Sequence, residues 1–392
     1  MKDRPRGTIK TTPLDFLVDE IPAYEPSGEG SHLFVRFEKT NLTTNDAVRA
    51  VAKALGVAAR DIGVAGLKDK IARTTQWISV PLPSTKEASS IEERIGALAV
   101  DGVRILEHRR HGNKLKTGHL KGNRFTIVVR NIDPARLADV RATLERIARE
   151  GVPNAFGVQR FGRDGDTHER ARGWLTGRER APGDPRLRRF HFSAFQSAIF
   201  NAVLEERVRD GSWSVPILGD LLKKEETGGM FVCTDVQLDR ERAARGEVYP
   251  TGPIIGDRMR QPEAEAFELE QRIVGPLIEG IDLRRARSLG EGTRRGLLLR
   301  VAELSHSAPP APDAPSPSAR DLAGLLSTSS SGEEFSSEHA QDGSETRAIM
   351  VRFVLPKGAY ATTVLENVFS IADAEPVALE EGADGDREAV PT

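Results

Sequence analysis

Residues 64–77 read Val64-Ala65-Gly66-Leu67-Lys68-Asp69-Lys70-Ile71-Ala72-Arg73-Thr74-Thr75-Gln76-Trp77. A glycine and small residues lead into Lys-Asp-Lys, and β-branched and aromatic residues follow, which is the pattern of a turn ahead of a strand. One carboxylate stands between two ammonium groups, and flanking cations favour its charged form at neutral pH. An ionised aspartate on a loop held by strands can serve as a base or a nucleophile. The plain alternative is a charged hairpin turn, and the segment alone leaves both open.

Working outward, residues 32–38 alternate with Leu33, Val35 and Phe37 on one face, the mark of a half-buried strand. Thr44 is placed to cap a helix whose apolar positions are Val48, Val51, Ala52 and Leu55, and Gly56 is placed to stop it. Residues 76–80, 103–108 and 124–129 are further strand candidates, and 135–149 read as a helix. This interleaving predicts an α+β domain with a largely antiparallel sheet. No Gly-x-Gly-x-x-Gly follows a strand and no Gly-Lys-Ser/Thr loop is present, so a nucleotide cofactor has no visible cradle.

From Gly151 the composition shifts. Residues 151–190 are rich in Gly, Arg and Pro and read as long loops, and Ser193 is placed to cap a helix over 194–209. A second domain is expected over 151–290. Residues 305–346 hold 11 serines and 5 prolines, too little apolar area to offset ordering entropy, so disorder is expected there. An acidic tail is expected from Ile371. Between them, 348–370 reads as a strand and then a helix beginning near Thr362, too small to fold alone and obliged to pack on earlier chain.

The 392 residues exceed what one ordinary domain needs. Cys233 is the only cysteine, which excludes an internal disulfide and a cysteine-rich zinc site. There is no basic-then-apolar leader and no apolar run near the ~20 residues that span a bilayer, so a cytoplasmic protein with no membrane partner is expected. The net charge of −2 is unevenly spread: +7 over 1–130, +2 over 131–300 and −11 over 301–392. A basic body with an acidic end points to an anionic partner for the N-terminal part.

Two further segments carry candidate chemistry. Lys114-Leu115-Lys116-Thr117-Gly118-His119-Leu120-Lys121-Gly122-Asn123-Arg124-Phe125 surrounds a turn with cations and ends on an aromatic ring. Cations hold phosphates and a ring stacks on an extruded base, although a solvated basic hairpin has the same composition. Pro153-Asn154-Ala155-Phe156-Gly157-Val158-Gln159-Arg160-Phe161-Gly162-Arg163 sets a Gln-Arg pair between two phenylalanines. Such a pair can bond a base edge or a phosphate, or the rings can simply anchor a linker. The eight histidines show no metal-binding spacing, Cys233 has no motif around it, and no Gly-x-Ser-x-Gly elbow supports a serine triad.

Taken in order along the chain, these segments resemble the TruD family of tRNA pseudouridine synthases. The resemblance runs from Gly7-Thr8-Ile9-Lys10 through Pro13-Leu14-Asp15-Phe16-Leu17-Val18-Asp19-Glu20 and Gly28-Glu29-Gly30-Ser31-His32. It continues with the Gly66-Leu67-Lys68-Asp69 segment, Lys121–Phe125 and 153–162, and closes with Leu355-Pro356-Lys357-Gly358-Ala359-Tyr360-Ala361-Thr362. It implies an α+β pseudouridine-synthase catalytic domain with a mixed, largely antiparallel sheet flanked by helices. Both chain ends form that domain (1–150 with 291–304 and 347–370), and a family-specific α+β domain is inserted over 151–290. The 305–346 insert and the 371–392 tail fall outside both.

The resemblance also implies an enzyme, an isomerase that converts uridine to pseudouridine at tRNA position 13, in the D-stem and loop region. It implies no cofactor, no metal, no obligate protein partner and a monomer. It makes Asp69 the catalytic aspartate and Phe125 the ring that stacks on the target uracil. Asn123, Lys10, Lys68 and Arg160 become substrate-binding candidates. Asp69 would attack the sugar or the base, or remove a sugar proton to give a glycal.

Three departures from the family pattern stand out: Ala155 after Asn154, where an aromatic residue is usual; Leu365-Glu366-Asn367 in place of Leu-Arg-Glu; and the Ser/Pro insert. Glu366-Asn367 and the insert leave a second reading, an RNA-binding or RNA-chaperone protein of the same fold whose catalysis has decayed. Retention of Asp69 with Lys68, Asn123 and Phe125 argues for the enzyme.

Overall fold

A computed structural model describes residues 4–83, 85–162, 164–309 and 347–373. The chain is α+β, and its main sheet is mixed and mostly antiparallel. In spatial order its strands are Ala302–Ser307, Ile349–Pro356, Leu120–Val129, Phe16–Pro22, Arg73–Pro81, His32–Thr40 and Val103–His111, with Gly63–Val64 added beside Arg73–Pro81. Within this sheet, Phe16–Pro22 and Arg73–Pro81 run parallel and the other described pairs are antiparallel.

The expected strands lie inside the observed ones, because alternating side chains fix which face is buried. His32–Thr40 buries Leu33, Val35 and Phe37 against helix Thr44–Leu55, which contributes Val48, Val51 and Leu55. That helix ends at Gly56, whose φ of 68° is the left-handed cap that glycine adopts without strain. Its N-cap is Thr43 rather than Thr44: the Thr43 hydroxyl accepts from the Asp46 amide. Thr44, one residue on, is buried, donates to Gln76 and accepts from the Lys68 amide.

The two chain ends meet in this sheet. Ile349–Pro356 pairs with Leu120–Val129 in continuous register, placing Phe353 opposite Phe125. Helix Leu137–Glu150 and the short helix Ala361–Leu365 bury Val140, Leu144, Ile147, Val364 and Leu365 on one core with Phe125, Ile127, Val351 and Phe353. So the segment that could not stand alone completes the main sheet.

Several boundaries differ from expectation. Ser305–Ser307, at the head of the segment expected to be disordered, continue strand Ala302–Ser307 and pair with 350–352; residues 310–346 lie outside the described residues. Ile371–Asp373, at the head of the expected tail, pair in parallel with Gly7–Ile9, and 374–392 again lie outside the described residues. The helix expected over 194–209 starts nine residues earlier, as Pro185–Arg209. Asp184 caps it and Pro185 fills the first position, where a missing N–H costs nothing.

The second sheet runs in the order Met230–Val232, Leu221–Lys224, Val248–Ile254, Thr293–Gly296. Its last strand lies beyond the boundary expected at 290. Helix Pro185–Arg209 packs against strand Val248–Ile254 and against helix Ala264–Ile278, burying Phe192, Phe195, Ile199, Val203 and Val274 with Ile255. Cys233 is buried there beside Leu222 and Val248, and burial pushes its thiol up to about 12, far from a nucleophile's range. Among the described residues no helix is long and apolar enough to cross a membrane.

Candidate active site

Asp69 stands on the turn between Gly63–Val64 and Arg73–Pro81, and that turn is held from three sides. The Thr44 hydroxyl accepts from the Lys68 amide at 2.9 Å. The Lys68 ammonium reaches back 2.6 Å to Glu20, both side chains almost fully buried, and Glu20 also accepts from the Trp77 amide. The third support is Lys39, whose ammonium donates to the Asp69 main-chain oxygen at 2.6 Å.

Lys39 is wholly buried. Burial drives its ammonium down to about 8, the Asp69 charge partly opposes this, and the Lys68 charge adds to it. Sequence reasoning missed this residue, although a signal was present. Lys39 continues the 33, 35, 37 alternation and therefore points a cation into the core, where it is found only with a partner.

With its backbone pinned, Asp69 keeps its side chain half-exposed, at 52 %. It faces a cavity of about 700 Å³ lined also by Lys10, Phe16, Lys68, Asn123, Phe125, Gln159, Lys357 and Tyr360. The Lys10 ammonium lies 3.7 Å from the Asp69 carboxylate and 4.8 Å from the centre of the Phe16 ring. Lys10 has a left-handed backbone, φ 59°, a conformation that costs a side-chain-bearing residue of order 1 kcal/mol and that clusters at functional sites. Phe125 stacks on Phe353 with centroids 5.4 Å apart and meets the edge of Phe16, so its ring is held in one orientation on the cavity wall. Asn123, two residues away on the same strand face, has a buried side-chain oxygen with no protein partner.

Of the six residues singled out from sequence, five line this cavity: Asp69, Lys10, Asn123, Phe125 and Lys68. The Lys68 ammonium, expected to bind substrate, is instead committed to Glu20. Arg160 lies outside this cavity, in a smaller one next to it, and its sequence neighbour Gln159 lines both. Lys357 and Tyr360, from the far end of the chain, were not singled out; long-range pairing of Ile349–Pro356 brings them here.

The departures from the family pattern lie away from Asp69. Ala155 packs near Phe200 and Trp213, and its carbonyl accepts from Thr363. Glu366 follows the short helix Ala361–Leu365 and is raised by burial, with Arg4 opposing. Asn367 donates to the Thr363 carbonyl and faces a different cavity, one lined by Arg4, Arg146 and Val368.

A pinned aspartate, an adjacent ammonium, a fixed aromatic wall and an open amide can together receive a planar base, position its sugar and move a proton. A family model for TruD, tRNA pseudouridine synthase D, matches residues 2–178 and 183–368. A protein named tRNA pseudouridine synthase D from Anaeromyxobacter sp. strain Fw109-5 is 40 % identical over 383 residues, 96 % of each chain. Another of that name from Thermus thermophilus is 35 % identical over 93 % of this chain and 89 % of its own. A solved TruD chain from Methanosarcina mazei superposes with a TM-score of 0.68 at 24 % identity, covering 94 % of both chains, and shows the shared fold. The chain belongs to the TruD family of tRNA pseudouridine synthases.

Proposed function

We propose that this protein is an isomerase that converts uridine to pseudouridine at position 13 of tRNA, with Asp69 as the catalytic carboxylate and Phe125 stacking on the extruded uracil. The observation that carries this reading is the Asp69 carboxylate at a cavity whose walls hold Phe125, Asn123 and, 3.7 Å away, the Lys10 ammonium. The names of the relatives agree with it in tRNA and in reaction.

The reaction breaks N1–C1′, turns the base, joins C5 to C1′, releases the C5 proton and places a proton on N1. Atoms and electrons balance without an added reactant. Extruding the base costs a few kcal/mol, which Phe125 offsets by stacking and the basic N-terminal part by holding phosphates. Asp69 acts on the bound nucleoside, either by attack on sugar or base or by removing a sugar proton to give a glycal.

The remaining candidates take distinct roles. Lys10 holds the Asp69 carboxylate in place, a cation beside an anion fixing both. The unpartnered oxygen of Asn123 accepts from the uracil edge. Lys68 works through Glu20 as a positioning residue for the Asp69 turn, and Arg160 meets RNA from the neighbouring cavity. The catalytic domain is formed by 1–150 with the C-terminal segment, the inserted domain lies between them, and the protein works as a cytoplasmic monomer on the D-stem and loop region.

Tritium release tests this directly. A tRNA transcript labelled at C5 of uridine should release tritium to water with the wild-type protein, and a transcript with cytidine at position 13 should release none. Release from neither transcript would overturn the enzymatic reading; equal release from both would overturn the position.

A further inference from the structure

The smaller cavity beside Asp69's has a volume of about 150 Å³ and is lined by Gly157, Gln159, Arg160, Phe190, Tyr360 and Thr362. Gln159, Tyr360 and Thr362 line both cavities, so the two are contiguous. Phe190 and Tyr360 come from different parts of the fold, helix Pro185–Arg209 and the turn after Ile349–Pro356, and are 39 % and 42 % exposed. Two exposed rings converging on one small cavity mark a place where a planar group can stack.

The same cavity carries an unbalanced charge. Arg160 is fixed by donating to the hydroxyls of Ser197 at 3.2 Å and Ser193 at 2.5 Å. Arg295 lies behind it: the two guanidiniums share the Phe156 ring, 5.5 Å and 4.2 Å from its centre. Arg295 donates to Asn154 at 2.6 Å, and its Nε is buried without a partner. Burial pushes Arg295 down to about 10, with Tyr360 opposing and Arg160 adding to the push.

Elsewhere the chain pairs its buried arginines, Arg207 with Asp220 at 2.8 Å and Arg294 with Glu270 at 2.5 Å. Among the described residues neither Arg160 nor Arg295 meets a carboxylate. Two partly desolvated cations without an anion are costly unless one arrives from outside, and guanidinium suits phosphate.

We propose that this cavity is a second nucleotide site, holding the nucleotide next to the target uridine with its base against Phe190 and Tyr360 and its phosphate on Arg160, the charge of Arg295 behind. The proposal rests on the synthase reading for the identity of the neighbouring site. Extruding one base unstacks its neighbour, and a ring surface one step along the strand restores that stacking.

The test measures equilibrium binding, which does not depend on turnover. The full-length protein is titrated with a tRNA transcript and with two transcripts carrying one abasic nucleotide, on the 5′ or the 3′ side of uridine 13. Phe190→Ala should weaken binding of the intact transcript about tenfold, one base's stacking, and Phe190→Tyr should restore it. One abasic transcript should bind wild type about tenfold more weakly and bind Phe190→Ala no more weakly than the intact one does. Arg160→Ala should lower the slope of log affinity against log salt by close to one phosphate contact. Unchanged affinity for Phe190→Ala, or abasic and Phe190→Ala losses that multiply, would overturn the site. Tritium release run alongside keeps the two readings apart: loss of release with the expected binding pattern sinks the synthase, and release with multiplying losses sinks the second site alone.

Discussion

Lys39 donates from inside the core to the main-chain carbonyl of Asp69, and its low affinity for a proton makes it a reporter of the turn's environment. Its folded value is about 8 against an ordinary 10.5. Between those values the unfolded chain binds more protons, so stability attributable to Lys39 rises with pH from about 8 to 10.5. Urea midpoints at pH 7.5, 9 and 10 should therefore show wild type gaining on Lys39→Met as pH rises, and parallel curves would contradict the burial. The same variant should lower kcat about ten- to a hundredfold by misplacing Asp69, with tRNA affinity nearly unchanged. At this scale the sequence was legible where a local motif marks the place, as at Asp69 and Phe125, which both line the one cavity. It was silent where a side chain's partner comes from far away: nothing near Lys68 names Glu20, and nothing near Gln159 names Tyr360.

Strand Leu120–Val129 has partners on both sides, Phe16–Pro22 and Ile349–Pro356, and this doubly bonded strand carries Asn123 and Phe125. The pairing is close enough at Gly122 that a Cβ would stand 2.2 Å from the Leu355 carbonyl oxygen. Gly122→Ala should cost about 1–3 kcal/mol through overpacking, read as a lower urea midpoint, and should slow turnover because Asn123 is the next residue. A variant as stable as wild type would show a looser pairing of the two strands. Strands were the most legible elements, since period-two alternation survives every detail of the ends. Helix Pro185–Arg209 was legible only from Ser193 onward. Its first two turns carry Arg186, Arg188 and Arg189, so the apolar stripe starts late, and the Asp184-Pro185 start signal was the better guide.

Across the whole molecule, a net charge of −2 conceals a body of +9 over residues 1–300 and an end of −11. The family resemblance anticipated a sheet completed from both chain ends, which periodicity alone could not, because register between strands more than two hundred residues apart leaves no local trace. Ser307 pairs with Met350, so the chain leaves and re-enters the sheet at adjacent points and a short turn can bridge them. Deleting 311–345 and joining the strands this way should keep turnover within about twofold, and a tenfold loss would show that the acidic segment serves the reaction. The central claim is that Asp69 carries out uridine isomerisation in tRNA. Its most direct test compares wild type and Asp69→Asn on one C5-tritiated transcript, with binding and tritium release measured in parallel. Equal affinities are predicted, with release by wild type and none by Asp69→Asn; an Asp69→Asn protein that still releases tritium would contradict the claim.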